Sequence, residues 1–209
     1  MYIPNSFKIA ERKSLLAYMR NYSFATLISV IDGSPFASHL PLVVEDAGET
    51  IRLKGHFAKA NPHWRAHEQG GGALVIFQGP HAYIAPAQYE ASEAVPTWNY
   101  VAVHAYGELR LLPAGESTIA MLEQMFDTFD ATYRTQWQTL SEKFKNGMLN
   151  GIVAFEIVVD RLEGKAKLSQ NRPAHDQANV AAWLLTHEDG VEQEVGRLMQ
   201  QNLEIAGGV

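Results

Sequence analysis

Apolar positions in this chain follow two periods, and the changes of period mark its elements. In "AERKSLLAYMRNY", Leu15, Leu16, Met19 and Tyr22 recur at helical spacing and predict an N-terminal helix. "SFATLISVIDGSPFASHLPLVV" holds two strand-like runs around "DGS", a hairpin signal. "TIRLKGHF" alternates apolar and polar residues and predicts a third strand. "NPHWRAHEQGGG" predicts a short helix, with Asn61 as N-cap, Pro62 at its first position and the glycines at its end. "ALVIFQGPHAYIAP" predicts a buried strand, a Gly-Pro turn and a second short strand, and "WNYVAVHAYGELRLL" predicts one long strand. Ile119, Leu122, Phe126 and Phe129 mark one helical face, and Trp137, Leu140 and Phe144 mark another. "GIVAFEIVVDRLEGKAKLSQN" returns to the strand period, and helical segments run from "PAHDQANVAAWLL" to about Leu203.

The strands fall into two antiparallel-looking groups, separated by a helical insert at about 113–147 and followed by C-terminal helices at about 173–204. Six or more short strands at hairpin spacing predict a mainly β chain, a closed barrel with peripheral helices, α+β overall. The 209 residues show no internal repeat and no Gly/Ser linker, so residues 1–209 read as a single domain. With 46% hydrophobic residues the chain can bury a sizeable core.

Composition narrows the function classes. The formal net charge is −6 and the Lys and Arg residues are scattered, which argues against strong non-specific nucleic-acid binding. With no Cys, disulfides, zinc-thiolate sites and thiol catalysis are excluded, and a cytoplasmic setting fits. "MYIPNSFKIAERK" lacks a cationic segment followed by an apolar run, so no signal peptide is expected. No apolar run approaches the ~18 residues of a membrane span, so no membrane partner is expected. The P-loop, the dinucleotide fingerprint and the esterase elbow are all missing. No residue stands out as a catalytic acid or base.

Three polar-aromatic clusters stand at predicted strand ends. "GHFAKANPHW" sets His56 and Lys59 beside an Asn-Pro turn; "VPTWNYVAVHAYG" gathers Trp98, Tyr100 and Tyr106; "KAKLSQNRP" gathers Lys167, Ser169, Gln170, Asn171 and Arg172. Taken singly, the first reads also as a plain turn, the second equally as core or interface anchors, and the third rather as a solvated loop that caps the next helix. Together they suit a ligand with a planar apolar part and an anionic tail, because barrels bring strand ends together. Flavin mononucleotide (FMN) has that character, and the pattern alone does not separate it from haem or another flat anion. His63 and His67 stand four apart with Glu68 nearby, the spacing of a metal pair on a helix. They lack the Glu of H-E-x-x-H and read as surface or cap histidines, so no metal site is expected.

"MYIPNSF", "HLPL", "GHFAKANPHW", "FQGPHAYIAPAQY", "VPTWNYVAVHAYG" and "KLSQNR" resemble, in this order, the motifs of the PaiB-like proteins, described as FMN-binding negative transcriptional regulators. The resemblance implies a split β-barrel of the pyridoxamine-phosphate-oxidase and flavin-reductase type, with FMN as cofactor and a homodimer as assembly. It implies that the strand "ASHLPL", with Ser38, His39 and Leu40, runs along the flavin ring. His56, Lys59 and Asn61 would hold the phosphate, with Lys59 where relatives often carry Arg. Trp98 and Asn99 of "VPTWNY", with Lys167, Gln170 and Asn171 of "KLSQN", would close the pocket. The implied function is an FMN-binding repressor, with DNA a partner that the charge does not support. The alternative is a flavin-dependent oxidoreductase or a haem-handling enzyme of the same barrel type, since a fold does not choose its function.

Overall fold

The computed structural model describes residues 1–207. Its elements in order are β1 (Lys8–Ile9), α1 (Arg12–Asn21), β2 (Phe24–Ile31), β3 (Ser34–Pro41), β4 (Val43–Ala47), β5 (Thr50–Ala58), β6 (Gly72–Ile84), β7 (Thr97–Leu111), α2 (Glu116–Phe129), α3 (Tyr133–Thr139), α4 (Glu142–Leu149), β8 (Ile152–Lys167), α5 (Ala174–Leu184) and α6 (Gly190–Gly207). The strands pair in the order β3-β2-β6-β7-β8-β5-β4, with β1 added on β8. The β1–β8, β2–β3, β2–β6, β4–β5 and β5–β8 ladders are antiparallel.

Local chemistry accounts for the hairpins. Asp32 and Gly33, both at positive φ (53° and 76°), form the two-residue turn between β2 and β3, and Ile31 pairs with Ser34. That turn follows the right-handed twist of its strands, and Asp-Gly tolerates both angles. Gly48, at φ 80°, opens the equally short β4–β5 turn.

Contacts gather the chain into two units. One contains Leu16–Phe77 and His104–Leu162; the other contains Met1–Leu15, Gln78–Val103 and the chain from Glu163 on. In the first, the fully buried side chains include Leu27, Leu42, Leu53, Phe57, Phe77, Phe155 and Ile157. Phe57 stacks on Phe155 with ring centres 4.4 Å apart. The insert helix α2 joins this core through Met121 and Met125, which cluster with Val43 and Ala154. The face predicted for α2 is therefore turned: Phe129 is exposed, and Thr118, Met121 and Met125 are the buried positions. Phe126 sits edge-on to Tyr133 at 4.9 Å and tilted against Trp137 at 5.4 Å. The bulky aromatics thus tie α2 to α3, while the flexible thioethers fill the core.

In the second unit, Val180, Ala181, Leu184, Val195 and Met199 are the buried apolar residues of α5 and α6. Gly196 permits close approach of these helices, since a Cβ there would stand 3.0 Å from the Ala181 carbonyl oxygen. The predicted Gly-Pro turn near residue 79 is a further correction. β6 is one continuous strand across Gly79 and Pro80. Its burial alternation shifts phase there, with Gly79 and Pro80 both buried, so the two residues re-aim the strand without reversing it.

Two glycines separate close approach from mere flexibility. A Cβ on Gly107 of β7 would lie 2.2 Å from the Val158 carbonyl oxygen of β8, so Gly107→Ala should destabilise by about 1–3 kcal/mol, read as a lower urea midpoint. A Cβ on Gly147 of α4 would meet nothing within 4 Å, so Gly147→Ala should stabilise by about 0.5–1 kcal/mol in the same assay.

Candidate functional site

β3 ends the strand order, so its outer backbone edge has no ladder partner among the described residues. Its side chains alternate: Ser38 is buried, His39 exposed and Leu40 half-buried. His39 Nδ1 lies 3.0 Å from Thr26 Oγ1 on the neighbouring strand. β5 carries His56 and stops at Ala58. There the Lys59 amide turns to the Gly151 carbonyl (2.8 Å) and the Asn61 amide closes back on the Ala58 carbonyl (2.8 Å).

Asn61 then caps a 3-10 turn at Pro62–Gln69, its Oδ1 accepting from the His63 amide at 3.0 Å. Gly70, at φ 92°, ends that turn. The cap, the proline and the glycine stand where the sequence predicts them, but the backbone is 3-10 and not α. A three-residue repeat does not stack His63 over His67. His67 Nδ1 instead meets the Trp64 carbonyl at 2.7 Å. The described residues contain no group of three or more metal-ligating side chains.

The centre of this cluster is the Ser38 hydroxyl. Asn61 Nδ2 donates to it at 3.0 Å, and His63 Nδ1 lies 2.9 Å from it. The same three side chains thereby tie β3 to the turn that follows β5. The His63 ring is fully buried, edge-on to Phe36 and stacked on Phe57, each at 5.1 Å. Its Nε2 is buried without a partner. Burial lowers its pKa to about 4, so the ring is neutral near pH 7. Burial lowers the pKa of His56 too, and its Nδ1 is likewise buried and unpartnered. His56 therefore offers a hydrogen-bonding ring nitrogen and not the positive charge its residue type allows. The exposed cation on this stretch is Lys59.

His63 was not legible as a site residue. Its spacing to His67 pointed to a surface pair, whereas its burial depends on Phe36 and Phe57 from two separate strands.

Of the residues expected to meet a cofactor, Ser38, His39, Leu40, His56, Lys59 and Asn61 lie in the unit just described, and Trp98, Asn99, Lys167, Gln170 and Asn171 lie in the other. In that second unit Trp98 is 53% exposed, with His81 and Tyr83 beside its ring at 5.7 and 6.0 Å. Asn99 is fully buried, and its Nδ2 donates to Ser169 Oγ at 2.9 Å. Lys167 Nζ donates to Thr97 Oγ1 and, at 2.7 Å, to the Trp98 carbonyl. Gln170 accepts from the Leu168 amide and donates to the Ala166 carbonyl, each at 2.7 Å, while Asn171 is exposed.

The antiparallel eight-strand sheet with its helices places the chain in the split-barrel class. The family described as "Putative FMN-binding domain" matches residues 1–161, and the chain belongs to that family. It is 39% identical to the Protease synthase and sporulation protein PAI 2 of Bacillus subtilis (strain 168), over 98% of this chain and 99% of that one. Among solved structures it is similar to the FAD and heme binding protein from Mycobacterium smegmatis (TM-score 0.63, 17% identity, 84% of this chain and 79% of that one). It is also similar to the flavocytochrome Anf3 from Azotobacter vinelandii (TM-score 0.61, 12% identity, 77% and 69%). At these identities the two structures speak for the fold alone.

The buried neutral His63 makes a pH prediction. Its folded pKa, about 4, lies below the ordinary 6.5, so between these values the unfolded chain binds the extra proton. Stability should be complete above pH 6.5 and fall as pH drops towards 4, by up to about 3 kcal/mol from this group. His56 contributes in the same direction. Urea midpoints at pH 7, 5.5 and 4.5 should show a shallower pH slope for His63→Phe than for wild type.

Proposed function

We propose that the chain is a PaiB-type flavoprotein that binds FMN, with the phosphate at the turn after β5. The observation that carries this reading is the hydrogen bond from Asn61 to Ser38, which fixes that turn against the open edge of β3. Backbone groups on an unpaired strand edge can bond the polar rim of a flat heterocycle. Lys59 supplies a charge for the phosphate, and the buried, unpartnered His56 Nδ1 is a polar atom that a ligand would satisfy. Ser38 and Asn61 position this site, because their side chains are already bonded to one another. His39 and Leu40 extend the same strand. Bound FMN would supply the redox-active ring, and the protein's part is to hold and shield it.

The finer reading is a homodimeric negative regulator of transcription. It is supported by the resemblance to PaiB-like proteins and by the exposed Trp98 and Tyr83, apolar surface that a second copy would cover. The net charge of −6 makes a partner-assisted repressor the better form of this reading than one that grips DNA alone. Light scattering should return twice the 23.2 kDa of one chain, and a mass of one chain at micromolar concentration would remove the dimer.

FMN should bind much more tightly than riboflavin, which shares the ring and lacks the phosphate. Lys59→Ala should weaken FMN roughly ten- to a hundredfold and leave riboflavin almost unchanged, since a charge-assisted contact is worth about 1.5–3 kcal/mol. Fluorescence titration of both flavins into both proteins decides it. Equal losses for the two flavins, or none, would sink the phosphate assignment. The visible spectrum of the purified protein separates flavin from haem.

A further inference from the structure

The unit that contains Met1–Leu15, Gln78–Val103 and the chain from Glu163 on holds the cations Lys165, Lys167 and Arg172. Lys165 and Lys167 are alternate residues of β8 and so share a face. Lys8 of β1 stands directly opposite Lys165, where like charges repel. Lys165 is 7% exposed; its ammonium has one hydrogen bond, to the Tyr2 carbonyl at 3.3 Å, and faces the Tyr2 and Tyr100 rings at 5.6 and 5.1 Å. The Arg172 guanidinium lies 4.3 Å over the Tyr89 ring. Among the described residues no carboxylate pairs with Lys165, Lys167 or Arg172; Glu163, on the same strand, pairs with the N-terminal ammonium.

The turn that presents Arg172 is rigid and strained. Ser169 is a non-glycine residue at φ 64°, and the Arg172 amide bonds its carbonyl at 2.9 Å. The Asn99 amide holds the buried Ser169 hydroxyl, and Gln170 bridges backbone groups on both sides of the turn. Left-handed backbone at such a residue costs free energy and tends to collect at functional sites. The Lys167 pKa is lowered, first by burial and then by repulsion from Lys165 and Arg172. Aromatic faces offset only part of the cost of gathering buried charges of one sign, and an anion would offset more of it.

We infer that Lys165, Lys167 and Arg172 form a binding site for a phosphate-type anion, either free or as the phosphoryl group of a larger ligand. Arg172 has the planar fork for two phosphate oxygens, and the lysines add point charges. Lys167 is also in the pocket that the family resemblance implies, Lys165 and Arg172 are not, and the site rests on the three together, whereas the flavin phosphate is proposed at Lys59.

Calorimetric titration with pyrophosphate, at ionic strength fixed by KCl, tests it. Wild type should bind, and Lys167→Gln and Arg172→Gln should each weaken binding roughly tenfold or more. Lys143→Gln, at an exposed cation of the other unit that neither reading uses, should leave it unchanged, and Lys59→Ala reports any binding at the turn after β5. Arg172→Gln removes a ring contact only, so its melting midpoint without anion should match wild type and show that it folds. Competition by FMN in wild type would assign the anion to a phosphoryl group of a larger ligand, and no competition would assign it to a free anion. The inference is overturned if wild type gives no heat, if all variants bind equally, or if only Lys59→Ala loses binding. Failure of FMN to bind would end the flavin reading and leave the pyrophosphate result intact.

Discussion

The Ser38 hydroxyl is the constraint on which the candidate site depends. It lies between the Asn61 amide and the His63 imidazole, 8% exposed, in surroundings that include Phe36 and Phe57. A polar cluster in such a place is stable only when its members satisfy one another, so each side chain fixes the position of the other two. The consequence reaches beyond the three residues. β3 and the turn after β5 come from different hairpins, and this cluster holds them in one register. Because Asn61 also caps the 3-10 turn, the direction in which Lys59 and Trp64 leave the strand is set by the same interaction; the Trp64 indole closes it by donating to the Lys59 carbonyl at 3.1 Å.

The cluster is not fully satisfied, and the remainder is informative. His63 Nε2 and His56 Nδ1 are buried without partners. Each costs free energy in the unliganded protein. For His63 the cost favours the neutral ring, which suits an imidazole packed against two phenyl rings. For His56, on a half-buried position near the end of β5, burial likewise favours the neutral ring. The cation cluster of the other unit has a similar logic with charge in place of hydrogen bonding. There the fold gathers like charges and sets aromatic rings against them, and among the described residues no carboxylate pairs with them.

Much of the secondary structure was legible in the chain. Asp32-Gly33 announced the first hairpin, Asn61-Pro62 the start of the 3-10 turn and Gly70 its end, because each residue type satisfies a local backbone demand that needs no distant partner. The errors came where the partner was distant. The α2 stripe was drawn through Phe126 and Phe129 because aromatics carry the strongest hydropathy signal, yet Met121 and Met125 face Val43 and Ala154. A turn was read at Gly79-Pro80 because that pair breaks regular structure locally, and the surrounding sheet carries the strand through it.

What the sequence determined by itself was most of the longer helices and strands, the absence of thiol chemistry and the motifs that carry the family resemblance, since these depend on residue type and short-range spacing. What only the tertiary structure decided was which polar residues are partners. Ser38 and His63 are 25 positions apart and Asn99 and Ser169 are 70 apart, and no periodicity links them. Their meeting, the neutrality of His56 and His63, and the crowding of Lys165, Lys167 and Arg172 all follow from burial. Burial is a property of the folded surroundings, and the residue alone does not fix it.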